Sequence, residues 1–199
     1  MRTFFLCLCI WGLVPNVSQA QKRIEAVAGM NLSKIYRTQG MASLSHMLAR
    51  PHVGFLYTSD GENSFGLQSG LILSQRGERT EEPDTRLTLS YLEIPLLFSY
   101  IPEQQLRFHL GPSIGLLLHR KLSLQNRTEN LQGVLFDRIL DVGVKIGASH
   151  QFTEHLSFSA YYFHSLLPIE ETPSTNSTSV VKLYNQSIQI SLGYTLWTP

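Results

Sequence analysis

From Ile188 to Leu196 every second residue is apolar (Ile188, Ile190, Leu192, Tyr194, Leu196), and the residues between them are Gln189, Ser191, Gly193 and Thr195. A strict period of two belongs to an extended strand, whose side chains alternate between two faces. The parity recurs upstream. Leu156, Phe158, Ala160 and Tyr162 alternate with Ser157, Ser159 and Tyr161, and Leu140, Val142, Val144 and Ile146 with Asp141, Gly143, Lys145 and Gly147. Two more copies run from Leu106 to Leu118 and from Leu92 to Tyr100, and weaker ones through Ala26–Leu32, Val53–Tyr57 and Phe65–Leu73. The pattern predicts eight strands and an all-β fold.

The connections alternate in length. Asp60-Gly61-Glu62-Asn63, Pro102-Glu103-Gln104-Gln105 and Phe152-Thr153-Glu154 read as tight turns. Between them lie longer polar stretches, Ser33–Pro51, Gly77–Thr85, His119–Leu135 and Leu167–Val181. Short turns at one end and long loops at the other, joined by alternating segments of roughly ten residues, are the signature of an outer-membrane barrel with periplasmic turns and extracellular loops. Past the N-terminus no apolar run approaches the ~18–20 residues that a spanning helix needs.

Residues 1–20 read as a secretory signal peptide: Arg2, an apolar run from Phe4 to Val14, then small residues up to Ala20, with cleavage expected before Gln21. Residues 21–199 are then the barrel domain. Cys7 and Cys9, the 2 cysteines of the chain, leave with the leader, so 2 − 2 = 0 remain and a disulfide scaffold is excluded. The basic count falls from 16 to 16 − 1 = 15 against 15 acids, which gives no support to general attraction to nucleic acid.

Alternation alone leaves open whether the apolar face meets lipid or a soluble core. The opposite face decides in favour of lipid. It is mostly Ser, Gly, Gln and Asn, small neutral residues that suit a crowded lumen, whereas a water-facing strand usually carries many Lys, Glu and Thr. Tyr57, Tyr100, Phe152, Phe158, Tyr194 and Trp197 fall near strand ends, where membrane girdles form or where core aromatics pack. The expected fold is an eight-stranded antiparallel transmembrane β-barrel in the cell outer membrane. A soluble secreted lipocalin-like barrel is the alternative.

Tyr91-Leu92-Glu93-Ile94-Pro95-Leu96-Leu97, continued by Phe98-Ser99-Tyr100 and by Leu110-Gly111-Pro112-Ser113-Ile114-Gly115, resembles the PorT-like outer-membrane β-barrel (porin family) proteins of the Bacteroidota. Gly29-Met30-Asn31-Leu32-Ser33 and Ser74-Gln75-Arg76-Gly77 are similar to that family's first-strand and third-strand signatures. The resemblance implies a Gram-negative outer-membrane barrel, in a family whose members mostly lack an assigned activity. Two departures stand out. Gln68 is followed by Ser69 and Gly70 where members often carry a Glu, and Trp197 is trailed by Thr198 and Pro199 where the family usually closes on an aromatic read by the barrel-assembly machinery.

Inward parity places Glu93, Arg107, Asp141 and Lys145 in the lumen, with Glu93 and Lys145 at similar heights and expected to pair. A lumen of eight strands is just wide enough to be filled by side chains, so these charges are expected to plug it; a polar pathway is the other reading. Pro95 and Pro112 lack the N–H that a ladder needs, and bulges are expected there. His164 and Ser165 are adjacent in a strand and point to opposite faces, so they cannot form a nucleophile–base pair. No residue pattern asks for catalysis, a metal or a cofactor. In the first long stretch Leu44, Met47 and Leu48 fall at helical spacing, and Lys34, Arg37 and Arg50 are available to lipopolysaccharide phosphates or an external partner. Asn126-Arg127-Thr128 and Asn176-Ser177-Thr178 match the N-glycosylation pattern by chance. The expected function is non-enzymatic and structural or interactive, through the extracellular loops. A narrow porin or a transport or secretion accessory is the runner-up. The partners expected are outer-membrane lipid, the assembly machinery and a surface or secretion-apparatus protein, and no nucleic acid.

Overall fold

The computed structural model describes residues 21–38, 45–61, 64–80, 85–124, 127–130, 139–173 and 180–198. The expected signal peptide, Leu44, Asn126 and the Asn176-Ser177-Thr178 triplet lie outside them. Ten strands run through the described residues: β1 Gln21–Arg37, β2 Ser45–Asp60, β3 Phe65–Thr80, β4 Thr85–Glu103, β5 Leu106–Leu124, β6 Arg127–Asn130, β7 Leu140–Gln151, β8 Leu156–Ser165, β9 Glu170–Pro173 and β10 Val180–Trp197. β6 pairs with β5 and β9 with β10, as short ribbons beyond the wall. The other eight form one antiparallel ring, β1-β2-β3-β4-β5-β7-β8-β10, closed by β1 against β10.

Closure fixes the geometry. Stepping from partner to partner round the ring leads from Lys22 through Ser59, Leu67, Phe98, Leu110, Ile146, Tyr162 and Ile188 back to β1 at Leu32, a stagger of 32 − 22 = 10 residues. Ten residues at ~3.3 Å against eight strands at ~4.8 Å give a strand tilt of about 41° and a backbone radius of about 8 Å. Because the stagger is even, alternation survives the circuit, and a residue that faces outward on one strand has outward-facing partners all the way round.

The outward face is the apolar one. Among the described residues 35 large apolar or aromatic side chains are exposed and 11 are buried. This inverts a soluble barrel: Leu192, Phe98 and Leu71 point away from the lumen, while Glu93, Asp141 and Lys145 are wholly inside. The lipocalin-like alternative fails on that observation, since it needs the apolar face within. Tyr57, Tyr100, Phe152, Phe158, Tyr194 and Trp197 all face outward toward the turn end. Tyr36 lies beside Tyr184 at the other end, the rings tilted by 44° with centroids 6.5 Å apart. On β10 the 194 − 184 = 10 residues from Tyr184 to Tyr194, at this tilt, span about 25 Å, the height of a transmembrane barrel's apolar band.

Three local expectations are corrected. The polar stretch 33–51 is largely strand: β1 runs to Arg37 and β2 begins at Ser45, so Met47 and Leu48 belong to a hairpin and not to a helix. Above the lipid both faces of a strand are wet, so the ladder continues after alternation has stopped. At Pro95 and Pro112 the register does not shift. The β3–β4 ladder skips from Ser69↔Leu96 to Ile72↔Glu93 and the β4–β5 ladder from Pro95↔Ser113 to Phe98↔Leu110, each resuming in phase. The missing N–H is absorbed as a gap in the ladder. The shifts in β4–β5 fall elsewhere, between Ser90 and Tyr91 and between Tyr100 and Glu103.

Candidate functional site

The lumen is the candidate site, and it is built in layers. Nearest the turns Arg107 donates to Asp60 Oδ2 at 2.9 Å, and Arg23 lies 3.4 Å from Glu25. Ser157 donates to Glu25 Oε1 at 2.9 Å. Arg23, Asp60 and Arg107 border an open vestibule of about 820 Å³ whose walls also include Lys22, Gln105 and Gln151. Arg107 therefore belongs to the vestibule and does not join the other three lumen charges read from the sequence.

Above the vestibule an apolar cluster enters the bore. Val27, Leu56 and Ile72 pack together from three successive strands, with Leu97 and the Tyr161 ring against them. Gln68, Lys145, Gln189 and Ser191 share the wall with them, so the lining at this level is mixed and not hydrophilic throughout. The space among these residues is about 10 Å³, at the limit of ~10–15 Å³ that one water molecule needs. His109, just below, is held between Ser99 Oγ at 2.9 Å and Ser149 Oγ at 2.8 Å.

The next layer holds the charges. Glu93 accepts from both Lys145 and Arg76, and from Ser113 Oγ at 3.1 Å. Arg76 also reaches Asp141 Oδ2 at 3.2 Å, and Lys145 donates to Gln189 Oε1 at 2.7 Å. Asp141 further accepts from Asn185 Nδ2 at 2.7 Å and Ser165 Oγ at 2.5 Å. Two cations face two carboxylates, with polar partners round them, which is the arrangement that makes buried charge tolerable. The Arg76 guanidinium lies 3.9 Å from the centroid of the Phe163 ring. Glycine makes room for this filling. A Cβ on Gly143 would sit 2.6 Å from Phe163, and one on Gly147 2.6 Å from Tyr161.

Sequence parity brought Glu93, Asp141 and Lys145 to this level but missed the residue that joins them. Arg76 sits in Ser74-Gln75-Arg76-Gly77, the stretch similar to a third-strand signature, beyond the alternating run Phe65–Leu73 from which the parity was read. Its even parity with Gln68, Ile72 and Ser74, all buried, was the available signal. Towards the loop end Ile35, Leu89, Tyr91 and Ile169 form a second apolar cluster below a small cavity of about 120 Å³. Arg37 pairs with Glu78 there, and Arg120 lies 3.5 Å from Glu170. His164 is part-exposed and bonds with Gln186, while Ser165 is buried in the lumen. Among the described residues no group of three His, Cys, Asp or Glu could hold a metal.

The family described as outer membrane protein beta-barrel domain matches residues 18–171. No curated protein sequence matches the chain. Among solved structures, the attachment invasion locus protein Ail of Yersinia pestis is similar at 12% identity and a TM-score of 0.50, over 89% of this chain and 99% of that one. Neisserial surface protein A follows at 11% and 0.49, over 88% and 97%. OprG of Pseudomonas aeruginosa follows at 13% and 0.42, over 89% and 94%. At such identities the likeness speaks for the fold alone.

Proposed function

The chain belongs to the outer membrane protein β-barrel family and resides in the outer membrane, and from that premise we propose that it is a closed, non-enzymatic barrel whose interactions are made at its loop end. The support for closure is the level at which Val27, Leu56, Ile72, Leu97 and Tyr161 meet Gln68, Lys145, Gln189 and Ser191, where a space of about 10 Å³ is left. The Arg76–Glu93–Lys145–Asp141 layer lies directly above it. A hydrated ion does not fit through a space that admits one water, and a neutral, mutually bonded set of charges offers it no site on the way.

Planar-bilayer recording of the refolded barrel tests this. The expected result is a flat baseline in molar potassium chloride, with discrete steps from an L56A/I72A/L97A/R76A/E93A/K145A variant, which truncates both layers, showing that the assay would detect an opening. Steps from the unmodified barrel would replace this reading with that of a narrow porin. The motif from Tyr91 to Leu97 supports assignment to the PorT-like branch of the Bacteroidota and, through it, a role accessory to protein secretion. Loss of secreted proteins on deletion of the gene is the corresponding expectation.

A further inference from the structure

Above the Arg76–Asp141 pair three successive inward positions of β4, Tyr91, Leu89 and Leu87, are aromatic or apolar. Ile35 comes to the same place from β1, Leu117 from β5 and Leu183 from β10. Ile169, from the segment between β8 and β9, completes the circle; its backbone N–H donates to the Leu183 carbonyl at 2.8 Å. These side chains surround a cavity of about 120 Å³. At its floor Ile35, Leu89, Tyr91 and Ile169 are buried, whereas Leu87, Leu117 and Leu183 are half-buried, so the cavity opens toward the loop end.

Two ion pairs form the rim. Arg37 holds Glu78 on one side, and on the other Arg120 lies 3.5 Å from Glu170. The rim reaches water, since the Glu170 side chain is 38% exposed and that of Arg37 25%. A bulge puts Arg120 there. From Arg107 to Leu117 the odd residues of β5 face inward. The β4–β5 register then shifts, pairing Tyr91 with Leu117 but Ser90 with His119, and beyond the shift Arg120 is the partner of the inward Leu89. The extra residue, Leu118, turns outward and is exposed. Bulges commonly re-aim a side chain in this way beside a functional site.

We propose that this cavity binds a small uncharged molecule whose apolar body is about one aromatic ring and whose polar end both donates and accepts hydrogen bonds. Size sets the body. An apolar cavity of ~150 Å³ takes up benzene, and the open mouth supplies what 120 Å³ lacks. Water is a poor occupant, because it needs roughly two to four polar partners and the walls are largely Leu and Ile. Charge sets the head. The rim carries two cations and two carboxylates, so a hydroxyl or amide finds both a donor and an acceptor in either pair. A charged head meets a like charge beside each opposite one and gives up its hydration. The packing that leaves about 10 Å³ lower in the bore leaves room here. The proposal rests on the reading that interactions are made at the loop end. Bilayer recording judges closure and a binding assay judges the cavity, so either can fail alone.

The test is binding of 4-fluorophenol to the full barrel in phosphatidylcholine nanodiscs, followed by fluorine NMR against empty nanodiscs, which account for partition into lipid. The expected result is saturable binding with a Kd of about 0.1–1 mM. Binding of 4-fluorobenzoate and of 4-fluorobenzylammonium should be weaker by about tenfold or more. L87F/L183F, which fills the cavity from its half-buried walls, should weaken binding of the phenol about tenfold or more, and L71F on the lipid face should leave it unchanged. Uptake equal to that of empty nanodiscs, unchanged affinity in L87F/L183F, or either charged probe bound as tightly as the phenol overturns the proposal. If L87F/L183F lacks the heat-dependent gel shift of a folded barrel, L183A decides. By enlarging the cavity it should raise the affinity for 2-naphthol relative to 4-fluorophenol about fivefold, and an unchanged ratio refutes the site.

Discussion

Replacing Lys145 by Met removes one charge from a layer that is balanced at two against two. Lys145 contributes a charge-assisted bond to Glu93 and one to Gln189, and bonds to charged groups are worth roughly 1.5–3 kcal/mol each. Removing a charge also removes its own desolvation penalty. Glu93 keeps Arg76 and Ser113, so it is not fully orphaned. The expected cost is about 3 kcal/mol, at the lower edge of the ~3–5 kcal/mol typical of breaking a buried pair. In E93Q/K145M the layer is neutral again: Arg76 faces Asp141 and still has an amide oxygen beside it. The double variant should therefore be more stable than the sum of the single costs by about 2 kcal/mol. The assay is urea unfolding of the barrel refolded into vesicles, followed by tryptophan fluorescence and by the gel shift between folded and unfolded forms. Additivity of the two substitutions to within about 0.5 kcal/mol would refute the coupling, and with it the picture of one interlocked layer.

Three further outcomes follow from the same geometry. Leu71→Arg, on the outward face near the middle of the apolar band, should cost about 2–4 kcal/mol in vesicles; a cost under about 0.5 kcal/mol would mean that this face meets water. Gly143→Ala drives a methyl group towards the His164 carbonyl oxygen and the Phe163 ring, and should lower the urea midpoint by the equivalent of about 1–3 kcal/mol, with F163A restoring part of it in the double variant. Asn185 bridges Tyr91 and Asp141, so Asn185→Leu, which strips a donor from a buried carboxylate, should destabilise by about 1–3 kcal/mol. Tyr91→Phe should cost less, because the carboxylate keeps its other partners. Equal effects of these two in the same unfolding assay would contradict the assigned roles.

Much of this barrel is legible without coordinates because facing is a local property. Whether Ile190 or Gln189 points to lipid is settled by the pleat of one strand, and period two writes it along the chain. The lumen positions of Glu93, Asp141 and Lys145 were readable for the same reason. Where strands leave the lipid the rule that wrote the pattern lapses, and the stretch from Ser33 to Pro51 looked like a loop although most of it is ladder. Arg76 was lost in the same way, at the polar end of β3.

Which inward residues meet is a different matter. That depends on the stagger of ten residues, a single number set by closing all eight strands at once. It brings Arg76 of β3, Glu93 of β4 and Lys145 of β7 to one height, and it sets Arg107 apart from them beside Asp60. It also stacks Val27, Leu56 and Ile72 into an apolar cluster that no single strand announces. The amino-acid order thus determined what faces lipid and what faces inward, because each strand decides that alone. Only the closed sheet decided which charges neutralise one another and where the bore is shut, because tilt and register are properties of the ring.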